Sequence, residues 1–433
     1  MDRRVAGSRG RSHQIAAAAV LALAPVLAAP AQDWPQWRGP SRDGVVPAAS
    51  VPAAWPEGLR PVWRVEVGEG YSSPVVAAGR VFVHGRRDPD EVVVAVDLAT
   101  GETLWTQSYP AAFGKNQYAV EMAKGPHATP LVVGDRLVTV GVTGIVAAWD
   151  VGTGKPLWRR DFSAEVDTSK LFCGTAASPL ALDGLVVVQV GSDVHGGRVL
   201  ELDPATGETR WEWRGPGPGY ASPVVIETRG ERQLVTLTNG SIVGLDAGTG
   251  RELWSVPFPD EWHENIATPV WTGSLLIVSG TRQGTHAYAL AEADGGWRAT
   301  EVWKNPDVAM YMSTPVLGDG LLYGHSARRK GQFVALDAAT GAVRWATEGR
   351  EGEHASVLLT PEHVVYLTEG ADLLVVRRGG ESFAVDRRYR VADAATWASP
   401  VLLGGDLLVR DANGLVRLAP TASAGPPPAA PGG

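Results

Sequence analysis

Cysteine is nearly absent from this 433-residue chain. The one copy, Cys173, permits no intrachain disulfide and excludes a Cys-rich zinc site or a haem-attachment motif. Lysine is almost as scarce, with six among 39 basic residues, and the formal charge is −8. No basic stripe offsets that charge, which argues against a nucleic-acid partner. No apolar run reaches the length of a membrane helix. No nucleophile elbow, phosphate loop or dinucleotide fingerprint stands in a suitable context. None of the nine His has the spacing of a metal pair, so neither a metal site nor a catalytic residue is assigned. What the chain has in abundance is Gly (52), Pro (31) and Trp (16, half of all aromatics). With 44% hydrophobic residues it can bury a large core.

The two ends differ in character from the middle. Arg3, Arg4, Arg9 and Arg11 precede an apolar run from Ile15 to Ala29 that closes on Ala29-Pro30-Ala31. That is the pattern of a signal peptide, residues 1–31, cleaved near Ala31. A periplasmic or secreted protein is expected, with no transmembrane segment and, because no Cys follows the signal, no lipid anchor. Residues 32–59 read as an N-terminal extension and 421–433 as a disordered Pro/Ala/Gly tail.

Between them the sequence repeats. Asp97-Leu-Ala-Thr100-Gly101 with Trp105 returns as Asp150 to Trp158, Asp203 to Trp211, Asp246 to Trp254 and Asp337 to Trp345. Asp bonds to backbone ahead of it and Gly supplies the positive φ of a tight hairpin, so the Trp falls on the outgoing strand. A second mark, Ser/Thr-Pro, begins strands at Ser73, Thr129, Ser178, Ser222, Thr268, Thr314 and Ser399, with an altered copy at Ser356. The interval suits one four-stranded propeller blade per copy. Each unit then reads as strand A (Ser/Thr-Pro), B, C ending in the Asp-x-x-Thr-Gly turn, and D carrying Trp. Trp63, Trp105, Trp158, Trp211, Trp254, Trp303 and Trp345 take the D position in seven units; Tyr389 takes it in the weak unit at Arg387–Arg390. The last unit lacks its D strand, and Arg60–Arg64 supplies one from the front. The expected fold is all-β: an eight-bladed β-propeller of four-stranded antiparallel blades over residues 60–420, closed by an N-terminal strand completing the last blade.

These repeats resemble those of the pyrroloquinoline-quinone-like (PQQ-like) β-propeller superfamily. The Asp-x-x-Thr-Gly-x-x-x-Trp pattern is similar to the tryptophan-docking motif of quinoprotein alcohol dehydrogenases and to the repeat of the BamB assembly factors. The opening Trp34-Pro35-Gln36-Trp37-Arg38-Gly39-Pro40 with Arg42-Asp43-Gly44 resembles the start of exported bacterial PQQ-like repeat proteins. Two departures bear on function. The dehydrogenases typically carry an adjacent Cys pair over the cofactor, whereas Cys173 stands alone; BamB-like scaffolds are usually lipoproteins.

Strand parity places the D-to-A and B-to-C connections on one face and the Thr-Gly hairpins on the other. The residues just ahead of the A strands should ring the channel mouth: Tyr71, His127, Ala176, Tyr220, Ile266, Met312, His354 and Trp397. The larger ones, Tyr71, His127, Tyr220, Met312, His354 and Trp397, are candidate ligand-binding residues. Loops on the same face add Lys115, Tyr118, Lys124, Lys170, Asp193, His195, His263 and Glu264. The expected function is a non-catalytic ligand- or protein-binding scaffold in the cell envelope, a monomer with no cofactor, whose partner is an envelope protein or small ligand. The alternative is a PQQ-dependent alcohol or sugar dehydrogenase using PQQ with calcium. A minor alternative is an outer-membrane protein assembly factor.

Overall fold

Short β-branched runs separated by Gly turns leave each segment only one economical partner, the next in line, and the chain pairs accordingly. A computed structural model describes residues 33–114, 124–167, 173–262, 264–293 and 295–421. It contains eight four-stranded antiparallel sheets arranged as the blades of a propeller. Blade 1 runs Val75–Ala77, Arg80–Arg87, Asp90–Asp97 and Thr103–Pro110. Blades 2 to 7 follow in sequence order. Within a blade the two middle strands are buried almost throughout, because other blades cover both faces, while the outer strand alternates exposed and covered residues.

The Asp-x-x-Thr-Gly turns and the Trp residues form one inter-blade joint. Asp97 Oδ1 accepts the N–H of Ala99 and both the N–H and hydroxyl of Thr100, at 2.8 to 3.0 Å. Those bonds hold its carboxyl below the usual carboxylate range. Gly154, at φ +72, offers a bare Cα to Trp105; a Cβ there would lie 2.5 Å from the indole. Gly101, Gly207, Gly250 and Gly341 receive Trp63, Trp158, Trp211 and Trp303 in the same way. The indole N–H groups of Trp63, Trp105, Trp158, Trp303 and Trp345 donate to carbonyls of the next blade, Leu98, Val151, Pro204, Ala338 and Gly379. Trp254 abuts a blade whose turn lacks the motif, and its N–H turns back to Gln233 at 2.7 Å.

Blade 8 is composite. Its order is Leu59–Glu66, Gly414–Pro420, Asp406–Arg410 and Val401–Leu403, so the first strand of the chain is the outer strand of the last blade. Pro61 is accommodated at this edge by a register shift between Pro61 and Trp63. Arg64 forks onto Asp411 at 2.8 and 3.1 Å across the closure. Arg410, fully buried, donates to the carbonyls of Ser72, His84 and Gly68.

The residues expected only as an extension ahead of the propeller are partly built into it. Trp34 exchanges two backbone hydrogen bonds with Val76 of blade 1, and Pro35 O accepts from Val132 of blade 2. The segment then reaches blade 7, where Val46 and Gly44 bond Leu359. Gly44, at φ +77, is obligatory: a Cβ would lie 2.7 Å from Arg38 Nη2 and 2.8 Å from Val316.

Candidate ligand site at the channel mouth

The mouth is built in tiers. Just ahead of each inner strand stands one ring residue, and Tyr71, His127, Ala176, Tyr220, Ile266, Met312, His354 and Trp397 all line a single cavity. Its volume is about 170 Å³, room for on the order of ten waters. Four of these rings form a continuous aromatic arc. His127 meets Tyr71 edge-on at 5.4 Å, Tyr71 lies 6.0 Å from Trp397, and Trp397 stacks on His354 at 5.0 Å and 13°. Between each ring residue and the strand lies Ser or Ala, as close approach of eight strands to one axis requires.

One step deeper lies a tier formed by the Ser/Thr residues that mark the start of each inner strand. The hydroxyl residues Ser73, Thr129, Ser178, Ser222, Thr268, Thr314, Ser356 and Ser399 also line the cavity. Six of their backbone N–H groups each donate to the hydroxyl oxygen of the next blade. The bonds run Ser399 to Ser73, Ser73 to Thr129, Thr129 to Ser178, Ser178 to Ser222, Ser222 to Thr268 and Thr268 to Thr314, at 2.9 to 3.1 Å. The series stops at blade 7, whose copy is altered. There Ala355 N–H donates to Ser313, and His354 contacts the Ser313 and Ser356 hydroxyls at 3.3 Å.

The floor is Trp37 with Arg38, from the N-terminal segment. Arg38 donates to Pro315 O at 2.6 Å and to Asp43 O at 3.0 Å. Arg42 donates to the carbonyls of Pro179, Ser178 and Pro223 at 2.7 to 3.3 Å. Both guanidinium groups lie over the Trp37 ring, at 5.4 and 5.6 Å from its centre. Desolvation lowers Arg38 to about 10 and Arg42 to about 9, with Arg38 adding to the effect on Arg42. Both therefore remain charged at neutral pH. Nothing in the repeat pattern announced this pair; the only signal was two Trp and two Arg crowded into a short non-repeat segment.

Of the expected loop residues that are described, Glu264 alone lines the cavity. It accepts the Tyr311 hydroxyl, and burial pushes its carboxyl up. Tyr311 and Cys173 are cavity residues too. Asp193 bonds Asn239, His195 is exposed, and Lys124 pairs with Asp88 at 2.7 Å; none of the three lines the cavity. Lys115, Tyr118, Lys170 and His263 lie outside the described residues, as do residues 1–32 and the tail from 422.

Calcium takes six to eight oxygen ligands, carboxylates prominent among them. Among the described residues, the one carboxylate lining the cavity is engaged by Tyr311, and no three His, Cys, Asp or Glu side chains cluster. A calcium-bound quinone therefore does not fit the described residues of this site.

Two buried histidines make this region acid-sensitive. Burial lowers His354 to about 3, reinforced by His325, and burial lowers His325 to about 4. Both folded values lie below the ordinary 6.5, so the unfolded chain binds protons first as pH falls. Stability is then full above pH 6.5 and declines below it, by about 1.4 kcal/mol per pH unit per histidine down to about pH 4. Urea melts between pH 7 and pH 4.5 should show a shallower decline in His354→Gln than in the wild type; an unchanged slope would refute the assignment.

The family model described as outer membrane protein assembly factor BamB matches residues 53–113 and 89–347. The BamB of Burkholderia pseudomallei is 32% identical over 327 residues, 71% of this chain and 74% of that protein. The quinohemoprotein alcohol dehydrogenase of Comamonas testosteroni is 27% identical over 314 residues, 63% of this chain but 41% of that enzyme. Among solved structures, a europium-containing methanol dehydrogenase superposes with a TM-score of 0.64 at 13% identity, covering 89% of this chain and 98% of that one. At that identity the likeness concerns the fold alone.

Proposed function

The chain belongs to the PQQ-like repeat propellers, in the family described as outer membrane protein assembly factor BamB, and from that premise we propose that it is a non-catalytic binding module of the cell envelope. It takes a ligand or a protein partner at the channel mouth. One observation carries this: eight residues from eight blades surround one cavity whose floor is supplied by the protein's own N-terminal segment. The chemistry at the walls favours holding over turnover. Glu264 is tied to Tyr311, and His354 is buried, neutral and bonded to serine hydroxyls. Relatives named for outer-membrane assembly support a protein partner and an envelope location. No helix of the described residues is long and apolar enough to cross a membrane.

The aromatic arc and the Comamonas relative favour one rival, quinone-dependent oxidation of an alcohol or sugar. Purified protein supplied with PQQ and calcium should reduce no dye on addition of alcohols or sugars. Substrate-dependent reduction would overturn the binding role. In parallel, capture of an envelope partner should be lost in Trp397→Ala, whose side chain faces the cavity; capture unaffected by that change would move the binding surface elsewhere.

A further inference from the structure

Donors and acceptors are sorted along the channel axis. Below the hydroxyl tier, the carbonyls of Ser178, Pro179, Pro223 and Pro315 are taken up by Arg42 and Arg38. Within the tier, Ser73, Thr129, Ser178, Ser222, Thr268 and Thr314 each spend an oxygen lone pair on a neighbouring blade's N–H. Their own O–H protons remain. Among the described residues, neither these six hydroxyls nor that of Ser399 donates to a protein acceptor, and all seven residues line the cavity. Arg38, 3% exposed, lines the same floor. A site with its acceptors removed from below and its O–H donors converging over a buried guanidinium selects for negative oxygen.

We propose that the bottom of the mouth cavity is an oxyanion site, formed by this crown of hydroxyls and Arg38, for a small anion bearing several oxygens. Phosphate and carboxylate groups share that chemistry. The assignment rests on the mouth cavity being the binding site and adds the class of ligand. Charge supports it: the described cavity residues include one guanidinium, with Arg42 against the same Trp37 ring, and one carboxylate already held by Tyr311. A neutral polyol would bring as many donors as acceptors and leave half of them unmatched. The aromatic arc above would cover whatever apolar body the anion carries.

Calorimetric titration of the full chain with inorganic phosphate, with citrate and with glucose separates the possibilities. Phosphate or citrate should bind saturably, with an affinity that falls as salt is raised, and glucose at least about tenfold more weakly. Phosphate alone would identify a tetrahedral group, and citrate alone a polycarboxylate; either supports the site. Arg38→Gln should weaken binding by about tenfold or more. Because Arg38 also fastens the N-terminal segment, Ser399→Ala provides a variant independent of folding. Among the described residues no N–H donates to the Ser399 hydroxyl, and the bond from its own N–H to Ser73 is retained. Ser399→Ala should weaken the anion several-fold while leaving the melting temperature unchanged. No saturable anion binding up to about 10 mM, equal affinity for glucose, or wild-type affinity in both variants would overturn the oxyanion site. If anions fail while Trp397-dependent partner capture persists, the oxyanion site falls and mouth binding stands; if both fail, both are refuted.

Discussion

Arg410→Met is expected to destabilise the fold by about 3–5 kcal/mol, the largest effect of any single substitution in the ring closure. Arg410 is wholly buried on a strand of blade 8, and desolvation lowers it to about 9, so it stays charged. Its acceptors are Ser72 and His84 in and before blade 1 and Gly68 between the two blades. Methionine fills much of the volume but takes the side-chain donor from the carbonyls of Ser72 and Gly68 and leaves that of His84 with the Ser72 hydroxyl alone. The neighbouring pair Arg64–Asp411 cannot substitute, because it spans blade 8 itself. Chemical denaturation would measure the loss, with Arg387→Ala on an exposed outer strand as a control expected within about 0.5 kcal/mol. A loss below about 1 kcal/mol for Arg410→Met would show that water already serves these carbonyls.

Removal of the N-terminal segment through Val46 is expected to loosen the channel lining at defined amides. Val76 and Leu359 lose the carbonyls of Trp34 and Gly44, and Val132 loses that of Pro35. Hydrogen exchange at these three positions should accelerate by at least about tenfold, while outer-strand amides such as those of Thr103–Pro110 should hardly change. Arg42→Ala should reproduce part of the effect at a cost of about 2–4 kcal/mol, since three carbonyls from blades 3 and 4 lose their donor at once. Unchanged exchange in the truncated protein would mean that the segment lies in the channel without supporting it.

Most of the architecture was legible because a repeat multiplies its own signal. A single Asp-x-x-Thr-Gly-x-x-x-Trp would have been a hairpin and a stray aromatic; five copies at blade-length intervals gave strand order, parity and the shared face of the ring residues. The orphan C strand at Leu415–Leu418 and the unpartnered Arg60–Arg64 pointed to each other for the same reason. The deeper chemistry of the site was not legible. Arg38 and Arg42 sit outside the repeat, and the acceptors that tie them to the blades are prolyl and seryl carbonyls far along the chain, backbone atoms that side-chain patterns do not mark. Arg410 reads as the charged end of a strand until blade 1 is folded against it. The hydroxyl tier was visible as spelling but not as a ring, since its bonds run between blades from backbone to side chain.

The sequence by itself therefore determined what depends on local periodicity: eight blades, composite closure, indoles docking on turns and eight residues at one mouth. Only the tertiary structure decided what fills the axis. Closing a ring of blades brings eight inner strands together and leaves buried carbonyls that require donors. The chain meets that requirement with its own N-terminal arginines, and in doing so turns an open channel into a cavity with a cationic floor.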